Sequence, residues 1–420
     1  MASIPSLSSL AQRLLKHAEK LDASSSSSQG IWSEELNEVR TDVLEVLHEV
    51  RMRVQGPTEL LEQQQVDYIS TSCLHWLLEF NIFTHVPNDN TPIPYTSLAT
   101  LASVPLNSLQ RIARMAMLSG LFTEPEPTLI AHSPLSLSFA TESRLRDWAT
   151  FVNKYSEPCA RALVAATRRW GYTEAKNETA YNVFSGSSMP FFDHMKQVPG
   201  MSDLFGRFME SKSLSQGERL AHVLNGFNWS SLKSQAHVVD VGGSRGFVSV
   251  ALAQAHPGFH FTIQDIPEGI GSHSELSNVP SSVSSRIRFV AHDFFEPQPA
   301  TQADWPPPDV YLLRKILHDW PEHQARTILS HLAKALQDGQ VEARIIIMDT
   351  VLPASGTIGK LHEAKLRVRD LTMLTKLNSH ERDLEEWKEL LGSTTPKLKL
   401  SKWRQPSGST LALMEAVLDR

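Results

Sequence analysis

Nowhere in the 420 residues does an apolar run approach the ~20 residues that a membrane-spanning helix needs, so a membrane-embedded reading is not expected. Cysteine is almost absent. Cys73 and Cys159 stand far apart and form no C-x-x-C pair, which excludes a disulfide framework and a thiolate metal site and fits buried thiols in a reducing compartment. Nor is there an excess of positive charge: 40 Lys and Arg against 46 Asp and Glu leave a formal net charge of −6. With no local basic patch either, the chain offers a polyanion no attraction, and a small-molecule partner is expected rather than nucleic acid. The first residues, MASIPSLSSLAQRLLKHAEKL, carry charges inside their apolar positions and lack the apolar core of a secretory signal, so the expected compartment is the cytoplasm. No metal is expected.

A hydrophobic content of 41% over this length supplies a full core and room for two domains. The unbroken serines from Ser24 to Ser28 are too polar to bury, and they predict a flexible linker after a short first helix, together residues 1–30. From 31 to 190 apolar residues recur at three and four spacing, as at Leu44, Leu47 and Val50, which predicts a mostly helical domain. Within it, YTSLATLASVPLNSLQRIARMAMLSGLFTEPEPTLIAHSPLS gives a short helix, a turn at Val104 and Pro105, a longer helix to Ser119, then Gly120 and a Pro-interrupted hairpin. That order is a winged helix. Its second helix offers a groove only Arg111 and Arg114, so a protein contact is expected of it rather than DNA binding.

Residues 191–420 form the predicted second domain, and from Ala236 the pattern changes. HVVDVG, FHFTIQD, IRFVAHD, VYLLRKIL and ARIIIMD are five strand candidates, each ending near a polar residue, with helical stretches such as Ser249 to Ala255 and Glu322 to Leu336 between them. Alternating units of this kind predict an α/β fold with a doubly wound, mainly parallel sheet that binds ligands beyond the carboxyl ends of its strands.

The glycine loop VVDVGGSRG follows the first of these strands. A dinucleotide fingerprint needs G-x-G-x-x-G, but the glycines are Gly242, Gly243 and Gly246, with Val241 where the first should be. Asp240 ends the first strand and Asp265 the second, placed for ribose hydroxyls, while Asp293 and Phe294 follow the third, placed for an adenine amino group and ring face. Each acid alone reads as a helix cap and each glycine as a turn. In this order they point to an adenosine without a pyrophosphate, and the expected cofactor is S-adenosylmethionine.

The blocks VVDVGGSRGFVSVALAQAHPGFHFTIQDIP, HDFFEPQP, DVYLLRKILHDWPEHQARTIL, MDTVLP and RDLTMLTKLNSHERDLEEWKELL resemble the plant-type small-molecule O-methyltransferases, especially their fungal natural-product branch. RDWATFVNKY, PFFDHM and FGRFMESKSLS extend the resemblance upstream. It implies a Rossmann-like methyltransferase domain preceded by a winged-helix dimerisation domain, an intertwined homodimer, and S-adenosylmethionine as cofactor. By position it assigns the cofactor loop to Gly242, Gly243 and Gly246, the ribose to Asp265, the adenine to Asp293 and Phe294, and a cation near the methionine end to Arg314. His318 becomes the general base, with Glu381 and Asp349 at the two acidic positions. Asp349 is one methylene shorter than the glutamate usual in plants.

A phenol of pKa ~10 is a weak nucleophile at neutral pH, which is why a histidine held in one tautomer by a carboxylate suits the reaction. Phe191, Met195, Phe205 and Met209 fall where the resemblance puts the acceptor wall, and their helical spacing also fits plain core. The acceptor expected is an aromatic or polyketide-derived secondary metabolite. Lys315 stands where related fungal sequences often carry a bulky apolar residue. It reads either as a surface side chain or as a cation in the pocket beside His318. The second option keeps open a pericyclase on the same fold, with Lys315 or Arg314 polarising a substrate carbonyl.

Overall fold

The computed structural model describes residues 5–23, 34–212, 215–270, 276, 279–300, 305–339 and 343–420; the serine run predicted as a linker lies outside them. The chain divides into two compact units, Met1–Arg169 with Ala180–Lys212, and Trp170–Thr179 with Ser213–Arg420. The boundary predicted at residue 190 is therefore displaced. Phe208 stacks on Phe151 with ring centroids 4.4 Å apart and Phe205 meets it tilted at 5.5 Å, and this aromatic packing draws Phe191 to Lys212 into the helical unit.

In the first unit, helix Leu7–Ala23 runs beside Glu34–Val54, tied by Arg13 donating to Asp42 at 2.9 Å. Helix Pro57–Glu79 starts on a proline, whose missing N–H costs nothing at that position. The winged helix is present: strand β1 (Ile93–Pro94), helix Tyr95–Ala102, a turn, helix Leu106–Met117, then strands β2 (Thr123–Glu126) and β3 (Leu129–Ala131), the sheet running in the order β1-β3-β2. Leu98, Leu109, Ala113 and Ile130 fill its core. Arg114, one of the two cations of the second helix, is held by both oxygens of Glu124 at 2.8 Å, and that hydrogen-bonded partnership draws Glu124 down to about 2.

The second unit is built on a seven-stranded sheet. Its strands are β4 (His237–Val241), β5 (His260–Asp265), β6 (Ile287–Ala291), β7 (Val310–Arg314), β8 (Arg344–Asp349), β11 (Leu398–Arg404) and β12 (Ala412–Leu418), in the order β11-β12-β8-β7-β4-β5-β6. A parallel pair of two-residue strands, β9 (Val351–Leu352) and β10 (Arg382–Asp383), lies apart from it. The five predicted strands are the five parallel ones, and β12 and β11 add an antiparallel end.

The period-two alternation of strands decides which side chain enters which core. Val239, Val241, Tyr311, Leu313, Ile345 and Ile347 pack on helices Glu322–Asp338 and Leu384–Gly392. Val238, Val310, Leu312, Ile346 and Met348 pack on the other face, where Leu252 and Ala253 of helix Phe247–Ala255 cover them. The order of the parallel strands reverses between β4 and β7. There the chain leaves the sheet in opposite directions and opens a crevice at the carboxyl ends.

Candidate active site

The glycine loop closes over the end of β5: the N–H groups of Gly242 and Gly243 both donate to the carbonyl of Gln264, at 2.8 and 3.1 Å. Gly242 and Gly246 have φ of +71° and +79°, in the left-handed region that favours glycine. Gly243 has a different reason to be glycine. A Cβ there would stand 2.7 Å from Cγ of Asp240, whose buried carboxylate accepts a hydrogen bond from Ser249 at 2.7 Å and is pushed up to about 6 by its burial. Its small size thus serves the packing of the loop onto Asp240.

Asp265 accepts hydrogen bonds from the N–H groups of Ser244 and Ile266, both at 2.8 Å, and keeps lone pairs to spare. Burial pushes its carboxyl up against the opposing effect of those two donors. Asp293 is exposed and accepts from the N–H of Phe295 at 2.9 Å. Phe294 lies against the loop, 3.7 Å from where a Gly242 Cβ would be, and meets the Trp320 ring edge-on at 5.7 Å. The loop, the carboxylate and the ring thus surround one end of the crevice.

At the other end β7 runs out at Arg314. Lys315 turns the chain with φ of +59° while its N–H still reaches Met348 O at 3.0 Å, and a single 3-10 turn, Leu317–Asp319, then presents His318. The His318 ring is buried among carboxylates. Its Nδ1 lies 2.8 Å from Oε1 of Glu381 and 3.4 Å from Oδ1 of Asp349, and its Nε2 lies 3.5 Å from Oδ1 of Asp319. Asp349 also accepts from the backbone N–H of His318 at 3.3 Å, so its shorter side chain reaches the histidine from both sides. Burial pulls the imidazolium down, but Asp349, Glu381 and Asp319 together outweigh it and push His318 up to about 10. Glu381 is lowered: burial raises it, and the charges of His318 and Arg369 more than offset that.

Local structure explains how residues distant in sequence converge here. The pairing of β10 with β9 sets Glu381 beside the end of β8, where Asp349 sits. Arg382, fully buried, donates to the carbonyls of Leu317 at 3.0 Å and Trp320 at 2.9 Å and so clamps the turn that carries His318. Ser379 donates to the His318 carbonyl at 2.6 Å. From the segment Trp170–Thr179, Lys176 donates to the carbonyl of Asp319 at 2.6 Å and stands 3.4 Å over the Trp320 ring. Burial draws it down to about 8, with Asp319 opposing.

Lys315 is not the surface side chain that one sequence reading allowed. Its Nζ is buried and sits 2.8 Å from Oε2 of Glu218, and burial lowers it to about 8 against the pull of that carboxylate. Arg314 donates to the Glu218 carbonyl at 3.0 Å, and its buried Nε has no partner among the described residues. Glu218, Arg369, Arg382 and Lys176 were all missed from sequence, where no short motif contains them in a recognisable role. Phe191, Met195, Phe205 and Met209 lie in the first unit, with the Phe191 and Phe205 rings 6.0 Å apart.

Residues 170–395 match the family model described as an O-methyltransferase domain. The O-methyltransferase VdtC of Byssochlamys spectabilis is 42% identical over 381 residues, covering 90% of this chain and 86% of its own. Among solved structures, "The structure of LepI complex with SAM" aligns at a TM-score of 0.75 and 20% identity, over 97% of this chain and 99% of that one. Another, titled "A Pericyclic Reaction enzyme", aligns at 0.75 and 19%, over 99% and 100%. At such identities the two structures establish the fold alone.

Proposed function

Since the chain belongs to the O-methyltransferase family and S-adenosylmethionine is its cofactor, we propose that it methylates a phenol or enol hydroxyl of an aromatic or polyketide-derived secondary metabolite, with His318 as the proton acceptor. The observation that carries this reading is the 2.8 Å contact from His318 Nδ1 to Glu381 in a site with two further carboxylates. Nδ1 donates to Glu381, which fixes the tautomer and turns Nε2 toward the acceptor hydroxyl.

The residues present fit the cofactor. Arg314 Nε is an unpartnered buried donor, Asp265 retains acceptor capacity for ribose hydroxyls, and Phe294 with Asp293 offers a ring face and an acceptor for adenine. Gly242, Gly243 and Gly246 shape the loop between them. When bound, S-adenosylmethionine supplies an electrophilic methyl group on a sulfonium. The chain has to supply a nucleophile. With His318 pushed up to about 10 and a phenol of pKa ~10, both hold their protons at neutral pH; once one proton has left, the remaining one is shared between comparable acceptors and the phenolic oxygen carries anionic character against the imidazolium. Asp349, Glu381 and Asp319 stabilise the charged ring throughout.

The pericyclase alternative through Lys315 finds less support, because that charge is already engaged by Glu218, which leaves Arg314 as the cation it would use. For the acceptor wall we retain Phe191, Met195, Phe205 and Met209 on the strength of the resemblance. A homodimer through the helical unit and a cytoplasmic location belong to the same reading. The buried cysteines Cys73 and Cys159, not joined in a disulfide, support the location, and among the described residues no helix is long and apolar enough to cross a membrane. Incubating the purified protein with methyl-labelled S-adenosylmethionine and a panel of polyketide phenols tests the activity. Label in a methyl ether supports it, and no transfer to any member of a broad panel contradicts it. Sedimentation tests the dimer, and a monomer would contradict that part.

A further inference from the structure

Glu218 is 2% exposed and sits between cations. Oε2 meets Lys315 Nζ at 2.8 Å, Oε1 meets the Arg369 guanidinium at 2.5 Å, and its own carbonyl receives Arg314. The segment carrying it is fixed by backbone contacts to the loop before β12: Thr410 N–H donates to the Gly217 carbonyl at 2.8 Å, and a Cβ at Gly217 would strike Thr410. Arg369, on helix Lys360–Leu377, also donates to Thr350 at 3.0 Å, and its Nε stands 3.9 Å from the Glu381 oxygen that holds His318. A line of ion pairs therefore runs from Lys315 through Glu218, Arg369 and Glu381 to His318. On one side two cations hold the Glu218 carboxylate while Arg314 holds its backbone carbonyl. On the other, three carboxylates surround one imidazole, and Arg369 joins the two groups.

We propose that Glu218 is a positioning residue for methyl transfer, acting on His318 through Arg369 and Glu381. Held by Glu218 and Thr350, the guanidinium is kept at arm's length from Glu381, whose Oε1 then remains the partner of His318 Nδ1. Without the Glu218 charge, Arg369 turns to the remaining nearby carboxylate, competes with the imidazole for it, and weakens the stabilisation of the charged ring. This inference rests on the reading of His318 as proton acceptor. The charged groups around His318 are Asp349 from β8, Glu381 from the loop before β10, Asp319 and Lys315 from its own segment, Lys176 from Trp170–Thr179, and Arg369 and Asp370 from the long helix, where Asp370 accepts from the Glu381 N–H at 3.0 Å. Arg369 contacts both Glu218 and Glu381.

The test follows the His318 ring directly, by nitrogen-15 NMR on the full chain, with the resonance assigned by its loss in His318→Gln. Glu218→Gln should lower the titration midpoint of that ring by ~1 pH unit, and the acid limb of kcat/KM should shift with it. The double variant Glu218→Gln with Arg369→Gln, from which the competing cation is also gone, should return the midpoint to the wild-type value or above. Rescue by removing a second buried group separates electrostatic positioning from mere structural damage, and it keeps the proposal testable if the single variant folds poorly. An unmoved midpoint in Glu218→Gln, or no return in the double variant, overturns the proposal. So does a loss of S-adenosylmethionine affinity with an unchanged midpoint, which would put Glu218 in the cofactor site. If the wild type methylates nothing, the function itself fails, while the NMR midpoints still report on Glu218 independently.

Discussion

His318 Nδ1 lies 2.8 Å from Glu381 Oε1, although 63 residues separate the two in the chain. That contact orients the ring, and with Asp349 3.4 Å from the same nitrogen it also makes the ring a strong proton acceptor. Glu381→Gln retains an acceptor oxygen but removes a charge, so transfer should fall by ~10-fold, whereas His318→Ala should lower it by ~10²-fold or more. Single-turnover rates at saturating cofactor check both. Equal losses in the two variants would mean that Glu381 does more than orient and stabilise.

The direction of the His318 shift sets the pH dependence. A ring raised from 6.5 to about 10 is protonated at neutral pH, and so is a phenol, so one proton must leave before the reactive pair forms. For a phenolic acceptor, kcat/KM should rise close to tenfold per pH unit between pH 7 and 9. The same shift bears on stability. The contribution of the protonated ring is complete below pH 6.5 and is lost as the pH climbs through about 10, so the melting temperature should decline on the alkaline side. A kcat/KM that is flat above pH 7.5 would point to an ordinary histidine.

Two loop residues should fail in different ways. Gly243→Ala drives a Cβ against Asp240 and should lower stability by ~1 to 3 kcal/mol, read as a drop in melting temperature. Asp265→Ala removes an acceptor and should weaken S-adenosylmethionine binding by ~2 to 3 kcal/mol in calorimetry on folded protein. Unchanged cofactor affinity in Asp265→Ala would remove that carboxylate from the site.

Chelation offers a further check. His318, Asp349 and Glu381 bring ligand atoms within 4.8 Å of one another, a donor set compact enough for a divalent ion. Nδ1 of His318 already points at Glu381, and the buried carboxylates are compensated by the imidazolium and Arg369, so dialysis against EDTA should leave the transfer rate unchanged. A loss restored by one divalent metal would replace the acid–base account.

The inner strands could be read from sequence because both faces of a parallel sheet are buried, which makes Ile345 to Met348 an unbroken apolar run and leaves Val238, Val239 and Val241 interrupted only by Asp240. The antiparallel end could not. Strand β11 is a charged, largely exposed edge, and β12 carries Glu415 in mid-strand, a residue explained only by Arg344 on β8 at 3.0 Å. His318, Glu381 and Asp349 were legible because short motifs surround them. Glu218 was not: its partner Arg369 is 151 residues away, and nothing in the local pattern of SQGERL distinguishes a buried acid from a solvated one. For the same reason Lys315 kept two readings until its partner was located.

The central claim is that His318 takes a proton from an acceptor that is then methylated. The most direct measurement follows product mass and demethylated cofactor together in wild type, His318→Ala and Lys315→Met. The account predicts a wild-type product heavier than its substrate by one methylene, one demethylated cofactor per turnover, near-complete loss in His318→Ala, and a much smaller loss in Lys315→Met. A product isomeric with its substrate, formed without demethylated cofactor and abolished by Lys315→Met rather than His318→Ala, would contradict it.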